Sequence, residues 1–458
     1  MRSTPRGASL PSPVRDRRVP GLAVVLAVLW VRSASGQTPE DLLDLDRIDI
    51  SGRSSLTLGS GARAFGMGGA FLARADDATA ASWNPAGLSY LRYPEFSLAG
   101  NNTLYRTERL TDEPGRVRFR GNTADFAAFT WPVRLGGSAG AVQLSFQRAV
   151  PFGGTQRVEE PREEQAPVIS TGDASGGFDV IAFGTGWRFT RTLRAGITIN
   201  RWFNGYEQTL ERNVPDAVRS LRVFDTDFGF SGWNANLGVI WSPVEQVNLA
   251  AVFKTPFTGR APLDKKRTDY FIDSSNVVTG TTENAFASED VEVDFPAALG
   301  FGVSWRPRSA LTLSADFTRT LWSKAEIRGY FTLPLAPLAP FFYDPLPYPL
   351  LDQEQGDSDQ IRLGVEYVVF TKGLKIPLRA GYFNDQQIGL VPGTGAAPRY
   401  HGFTAGVGII VGPMLFDVAY LYESGSFLEP VEGEAPVKNT LKTERFFLSL
   451  IYRLGGVR

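Results

Sequence analysis

"VDFPAALGFGVSWRPRSALTLSADFTRT", residues 293–320, sets the terms for the whole chain. In its first half Phe295, Ala297, Leu299, Phe301, Val303 and Trp305 occupy one side of a two-residue repeat. Ala298, Gly300, Gly302, Ser304 and Arg306 occupy the other. That period belongs to an extended strand, whose successive side chains leave on opposite faces. One face is large and apolar while the other is small or polar. After the short link "RPRSA" the alternation resumes through "LTLSADFTRT". Two such strands joined by a tight turn form an antiparallel pair.

The pattern recurs. About fourteen segments show it, near 94–105, 123–132, 138–149, 178–189, 193–204, 229–241, 246–255, 293–306, 310–320, 359–370, 374–383, 401–411, 413–422 and 444–453. Alternation alone also suits a soluble sandwich. The connections discriminate. Links after the even-numbered segments are short, as in "VRLGGS", "TRT", "SPVEQ", "RPRSA", "TKG" and "GP", whereas those after odd-numbered segments commonly run to fifteen to thirty-five residues. An even strand count with strictly alternating short and long links predicts an all-β transmembrane antiparallel barrel with both termini in the periplasm.

Aromatic residues support the same reading. Trp131, Trp187, Trp241, Trp305, Phe370 and Tyr452 each stand beside the short-link end of a segment, where rings would meet lipid headgroups. Tyr105, Trp202, Phe253, Trp322, Tyr382 and Tyr420 are expected to form the opposite girdle.

Composition narrows the function classes. The chain has 458 residues with 48 Gly, 9 Trp, 14 Tyr and 32 Phe. Its mean hydropathy is −0.11, too low for a bundle of apolar helices. There is no cysteine and one histidine, His401, so neither thiol chemistry nor a histidine metal site is expected, and no cofactor. Residues 1–36 read as a cleaved secretory signal: Arg15, Arg17 and Arg18, then an apolar run from Leu22 to Val31, then Ala34-Ser35-Gly36. Removing its six arginines and Asp16 moves the formal charge from −1 to −6, which disfavours nucleic acid as a partner.

Between that signal and the first strand lies "GMGGAFLARADDATAASWNPAG", residues 66–87. A barrel of fourteen strands encloses a lumen wider than its own side chains fill. Small residues let backbone approach backbone, so residues 37–93 are expected to be a hatch inside residues 94–458. Asp76 or Asp77 is expected to cap a helix through Ala78–Ala81, and Asn84-Pro85-Ala86-Gly87 to turn the chain. A flexible periplasmic linker is the alternative, and Phe65, Met67, Phe71 and Trp83 count against it.

"GARAFGMGGAFLARADDATAASWNPAGL" (61–88) resembles the N-terminal signature of the FadL/TodX outer-membrane transport family. "NANLGVIWSPVEQVNLAAVFKTP" (234–256), residues 293–323 and "IPLRAGYFND" (376–385) resemble it too. The resemblance implies a hatch-closed barrel of fourteen strands in the bacterial outer membrane, carrying long-chain fatty acids or other hydrophobic compounds. It also implies release sideways through a gap at a kinked strand, whose position the sequence leaves open; the third segment ends in Pro151-Phe152-Gly153-Gly154 and begins after Gly136-Gly137. Asp76, Asp77, Asn84, Pro85 and Gly87 match the hatch motif. PorV-like barrels share this signature and act as protein-binding shuttles in secretion, so a protein partner at the outer loops is the alternative to a small-molecule cargo. A hydrolase would need a paired nucleophile that this chain lacks.

The stretch "GYFTLPLAPLAPFFYDPLPYPLL" (329–351) is far more apolar than a solvent loop. Leu335, Leu338, Phe341 and Phe342, with Phe257 and Tyr270, are expected to wall an outer capture site for an apolar ligand.

Overall fold

In a computed structural model, residues 59–109, 116–162, 165–215, 219–288, 292–328, 356–371, 373–387, 397–429 and 437–455 are described. The expected signal, the remainder of the N-terminal segment before Gly59, and Leu335, Leu338, Phe341 and Phe342 lie outside them.

The chain closes into an antiparallel barrel of fourteen strands. The first seven are Glu95–Arg109, Arg116–Leu135, Ser138–Pro151 continued by Gly154–Arg162, Gln165–Arg188, Leu193–Val214, Arg219–Gly229 continued by Gly232–Val244, and Val247–Lys254 continued by Leu263–Ile272. The rest are Val278–Ser288 continued by Ala298–Arg308, Leu311–Thr320, Ser358–Thr371, Leu374–Gln386, Arg399–Val411, Met414–Glu429 and Val437–Arg453. The last strand pairs with the first from Asn439 opposite Arg109 to Arg453 opposite Glu95, so the wall has no terminal edge there.

The two-residue repeat sorts the side chains as expected. Phe301, Leu144, Leu448 and Phe403 are all more than half exposed on the outer face. Thr130, Gln143, Thr198, Ser304 and Thr404 are buried on the inner one. All six short turns fall where the sequence puts them.

The opposite connections differ from expectation. The third and fourth strands run on to Arg162 and Gln165 and leave only residues 163–164 between them. The fifth and sixth run on to Val214 and Arg219. Much of what reads as long loop, Glu159-Glu160 included, is therefore strand that stands beyond the apolar belt. There both faces meet polar surroundings, so the apolar half of the alternation, the signal that marks a strand, is missing.

Several strands also break at one level. The third breaks at Phe152-Gly153, the sixth at Phe230-Ser231, the seventh between Lys254 and Leu263, and the eighth before Ala298. Pro151 marks the third-strand break, Pro256 and Pro262 the seventh and Pro296 the eighth. A proline has no N–H to give to a ladder, so it sits where pairing stops. Between the breaks, Phe257–Arg260, Glu292–Phe295 and Glu326–Arg328 form a separate three-stranded sheet. In the fourth and fifth strands, Gly176 (φ 92°) and Asn204 (φ 75°) take left-handed conformations that carry the bend across.

Candidate functional site

Residues 59–91 pack inside the barrel. Two short helices, Ala62–Gly66 and Ala80–Trp83, precede a 3-10 helix, Pro85–Tyr90. Phe65, Met67, Phe71, Trp83 and Leu88 are buried in one cluster that also includes Phe447 of the last strand. The barrel binds the segment's backbone from several sides. Thr404 Oγ1 accepts from Gly68 N (2.9 Å) and donates to the Gly66 carbonyl (3.1 Å). Asp316 accepts from Leu72 N (2.8 Å), and Gln143 donates to the Ala78 carbonyl (2.7 Å).

The motif residues divide into two groups. Asp76 and Asp77 both pair with Arg63, at 2.7 and 3.0 Å. Arg74 pairs with Asp76 and, at 3.2 Å, with Glu366 of the tenth strand. Glu366 in turn receives Arg379 of the eleventh at 2.8 Å, and Arg379 reaches Asp417 of the thirteenth at 2.6 Å. Burial opposes the charge of Arg63, yet Glu366 and Asp77 hold it above the ordinary arginine range. Burial, then the like charge of Arg63, pushes Arg74 down to about 10.

The second group lies on the far side. Asn84 Nδ2 donates to the Leu72 carbonyl (2.9 Å) and to Val239 of the sixth strand (3.3 Å), while its Oδ1 accepts from Ala86 N (3.1 Å). A Cβ at Gly87 would run into the Ala75 carbonyl oxygen, and one at Gly196 of the fifth strand would meet Pro85. The expected helix through Ala78–Ala81 is displaced to Ala80–Trp83, because Asp77 Oδ1 accepts from Thr79 N (2.9 Å) and Thr79 Oγ1 (2.6 Å) and so holds Thr79 outside the helix as its N-cap. Asn84 caps a 3-10 helix rather than opening a simple turn.

Above this segment lies a cavity of ≈ 70 Å³, floored by Ala81 and Ser82. Its lining is part polar, with Gln147, Asn200, Asn234, Asn236 and Lys254, and part aromatic, with Trp202, Phe257, Phe295 and Trp322, and Trp202 Nε1 donates to Asn234 Oδ1 (2.9 Å) where the two parts meet. Trp202 stacks on Phe257 (centroids 5.3 Å apart), and Phe257 on Phe295 (5.0 Å). Phe230, Phe178, Phe152, Tyr206 and Phe228 continue the cluster upward through the strand breaks. Trp202 and Trp322 thus belong to the lumen and not to the outer girdle expected for them: Trp202 shares the inner face of the fifth strand with Thr198 and Asn200, and Trp322 opens a 3-10 helix, Trp322–Lys324, past the end of the ninth strand. Phe257 lines the cavity; Tyr270 is not among its lining residues and stands in the outer ladder opposite Leu221 and Thr281. Asn234, Lys254 and, apart from Phe257, the aromatic cluster are absent from the sequence-derived site, and the prolines at three of the breaks were the signal nearest to them.

Beside the cavity the wall is incompletely paired. The second strand pairs with the third over Phe126–Leu135 and again over Arg116–Arg120, leaving Gly121–Asp125 between the two ladders. On the third strand the matching interval contains Arg148–Gly153. Ala149 and Val150, from that interval, line the cavity. Arg148 is held away from the gap by Asp179, at 2.7 and 2.9 Å.

A family model described as BamG matches residues 59–333. Among solved structures, the Ralstonia pickettii toluene transporter TbuX is 16% identical, with 86% of this chain and 98% of that one aligned at a TM-score of 0.56. A Pseudomonas aeruginosa FadL homologue is 13% identical over 86% and 98% of the chains, with a TM-score of 0.57. The Pseudomonas putida toluene transporter TodX is 15% identical over the same shares, with a TM-score of 0.56. At these identities the likeness is one of fold. No curated protein matches by sequence.

Proposed function

From the premise that the chain belongs to the BamG family, we propose that it is an outer-membrane channel for hydrophobic small molecules. Residues 37–93 act as its hatch, and both termini are periplasmic. Cargo is captured on the outer side, rests in the cavity above Ala81 and Ser82, and leaves between the second and third strands. Leu335, Leu338, Phe341 and Phe342 belong to the capture wall in this reading, and Phe257 to the inner stack. Asp76, Asp77, Asn84, Pro85 and Gly87 seat the hatch.

The observation that carries the reading is the coincidence of cavity and gap: Ala149 and Val150 border both. A sheet with unpaired backbone facing lipid is costly, so an interval of this kind is kept for a purpose. The amphipathic lining favours a cargo with an apolar body and one polar end, such as a fatty acid, over a fully apolar hydrocarbon.

The test fills the cavity. Ala149→Trp with Ala182→Trp is expected to weaken binding of a fluorescent fatty acid tenfold or more, while the barrel keeps its unfolding temperature in detergent. If wild type binds neither fatty acid nor toluene and instead co-purifies with a protein, the shuttle reading replaces this one.

A further inference from the structure

The outer rim carries a row of cations. In the ladders Arg106 of the first strand stands directly opposite Lys442 of the fourteenth on one side and Arg118 of the second on the other, and Arg118 stands opposite Arg157 of the third. Arg120 faces the same way one row lower, between Leu104 and Thr155. All five side chains are exposed. Neighbouring strands are ~4.8 Å apart, so four positive charges follow one another at about that interval. Like charges directly opposite destabilise a sheet. Arg157 has Glu159 at 2.9 Å, and Glu444 lies one row below Lys442. Among the described residues, Arg106, Arg118, Arg120 and Lys442 make no ion pair.

Position adds a second argument. On the same face of the fourteenth strand the apolar belt ends at Phe446, whose ring packs on Tyr420 at 4.9 Å. Lys442 is four residues further out, on the order of 10 Å for a tilted strand. That is the level of lipid headgroups, outside the hydrocarbon. Across the barrel the equivalent faces carry acids in register: Glu207 opposite Asp227, and Asp227 opposite Asp264. Lys266 stands among these acids and pairs with Glu283 at 3.3 Å, so the directly opposed cations are gathered where lipid meets the first three strands and the last.

We propose that Arg106, Arg118, Arg157 and Lys442, with Arg120, bind the phosphorylated headgroup of a membrane glycolipid in the leaflet on the long-strand side. Fixed guanidinium forks suit phosphate oxygens, and a headgroup with two phosphates spans several of them at once. The row also borders the gap in the wall, since Gly121 follows Arg120 and Thr155 lies two residues beyond Gly153. A bound glycolipid would stand beside that gap. The inference shares the membrane orientation of the preceding section but does not depend on any cargo.

The full barrel, purified in detergent, is titrated with bis-phosphorylated lipid A, with phosphatidylcholine and with inorganic pyrophosphate, and bound lipid is counted by native mass spectrometry. Wild type should hold lipid A, and Arg106→Gln/Arg118→Gln/Lys442→Gln should hold it at least tenfold more weakly. Glu207→Gln/Asp227→Asn should behave as wild type. Equal binding by wild type and the triple variant overturns the proposal, as does phosphatidylcholine binding as tightly as lipid A. Pyrophosphate displacing nothing from the barrel's lipid supports a lipid site, whereas pyrophosphate binding as tightly as lipid A overturns it. Without lipid, the triple variant should unfold at the wild-type temperature or above, because repulsion is relieved; unfolding at a lower temperature would make the row structural and sink the idea.

Discussion

Phe65 of the N-terminal segment stacks on Phe447 of the last strand, ring centroids 4.2 Å apart and planes 11° from parallel. Both rings are buried. The stack ties the segment to the wall by a contact that has no hydrogen bond to substitute for it. Phe65→Ala should cost about 3–5 kcal/mol of packing at that point. If the segment is a separate seat, the loss appears as protease sensitivity of residues 59–91 while the barrel's unfolding temperature stays put. A fall in barrel stability with no new cleavage would show that the two fold as one unit.

Deleting residues 59–91 should turn a poorly conducting protein into an ion-permeable pore in planar bilayers. The segment fills a lumen whose wall is lined with glycine, serine and threonine, and water replaces it readily. Wild-type conductance after the deletion would remove the hatch from the account.

Glu366 accepts from Arg74 and Arg379 and lies 3.6 Å from Arg63, with its side chain 3% exposed. Replacing it with alanine removes the carboxylate that three guanidiniums share and leaves them only Asp76, Asp77 and Asp417, and breaking a buried pair in this way costs about 3–5 kcal/mol. Glu366→Ala should therefore raise conductance noise and lower the unfolding temperature. Glu366→Gln keeps the shape and should fall between the two. Equal behaviour of both variants and wild type would mean the network contributes nothing to the seat.

The barrel was legible in the sequence because lipid on one side and a polar lumen on the other enforce alternation, as at Phe301 and Gly302. Once a strand leaves the belt this contrast vanishes, which is why Gly154–Arg162 and Arg219–Gly229 read as loop. The hatch motif was visible as small residues, but which carbonyl Asn84 reaches depends on the sixth strand, 155 positions away. The cavity was the least legible part. Its walls come from strands three to nine, and which inward residues of so many separate strands converge on one level depends on the register between strands that are far apart in sequence.

Asn84 makes three hydrogen bonds to backbone, and Asp77 holds Thr79 and Arg63. Each bond contributes about 0.5–1.5 kcal/mol, and more where a partner is left buried and unpaired. Asp77→Ala with Asn84→Ala should loosen the segment without unfolding the wall, seen as conductance between wild type and the deletion. Uptake and conductance both at wild-type values would make these residues bystanders.

Gly381 of the eleventh strand separates seat from wall most directly. A Cβ there would strike Gly68 and the Met67 backbone, whereas the strand's own ladders to Gly364 and Thr404 leave its backbone unchanged by a side chain. Extended backbone accepts leucine or valine without strain. Gly381→Leu should therefore expel the segment around Met67 and Gly68 while the barrel assembles normally, giving conductance close to that of the deletion. Gly373, in the short turn that precedes the same strand, has nothing within 4 Å of a Cβ but a φ of 71°. Gly373→Ala should show the reverse: a modest loss of barrel stability from strained backbone and no change in conductance. If Gly381→Leu instead blocks barrel assembly and leaves no folded protein to measure, the segment and the wall form together, and the hatch is a part of the barrel's core rather than a movable plug.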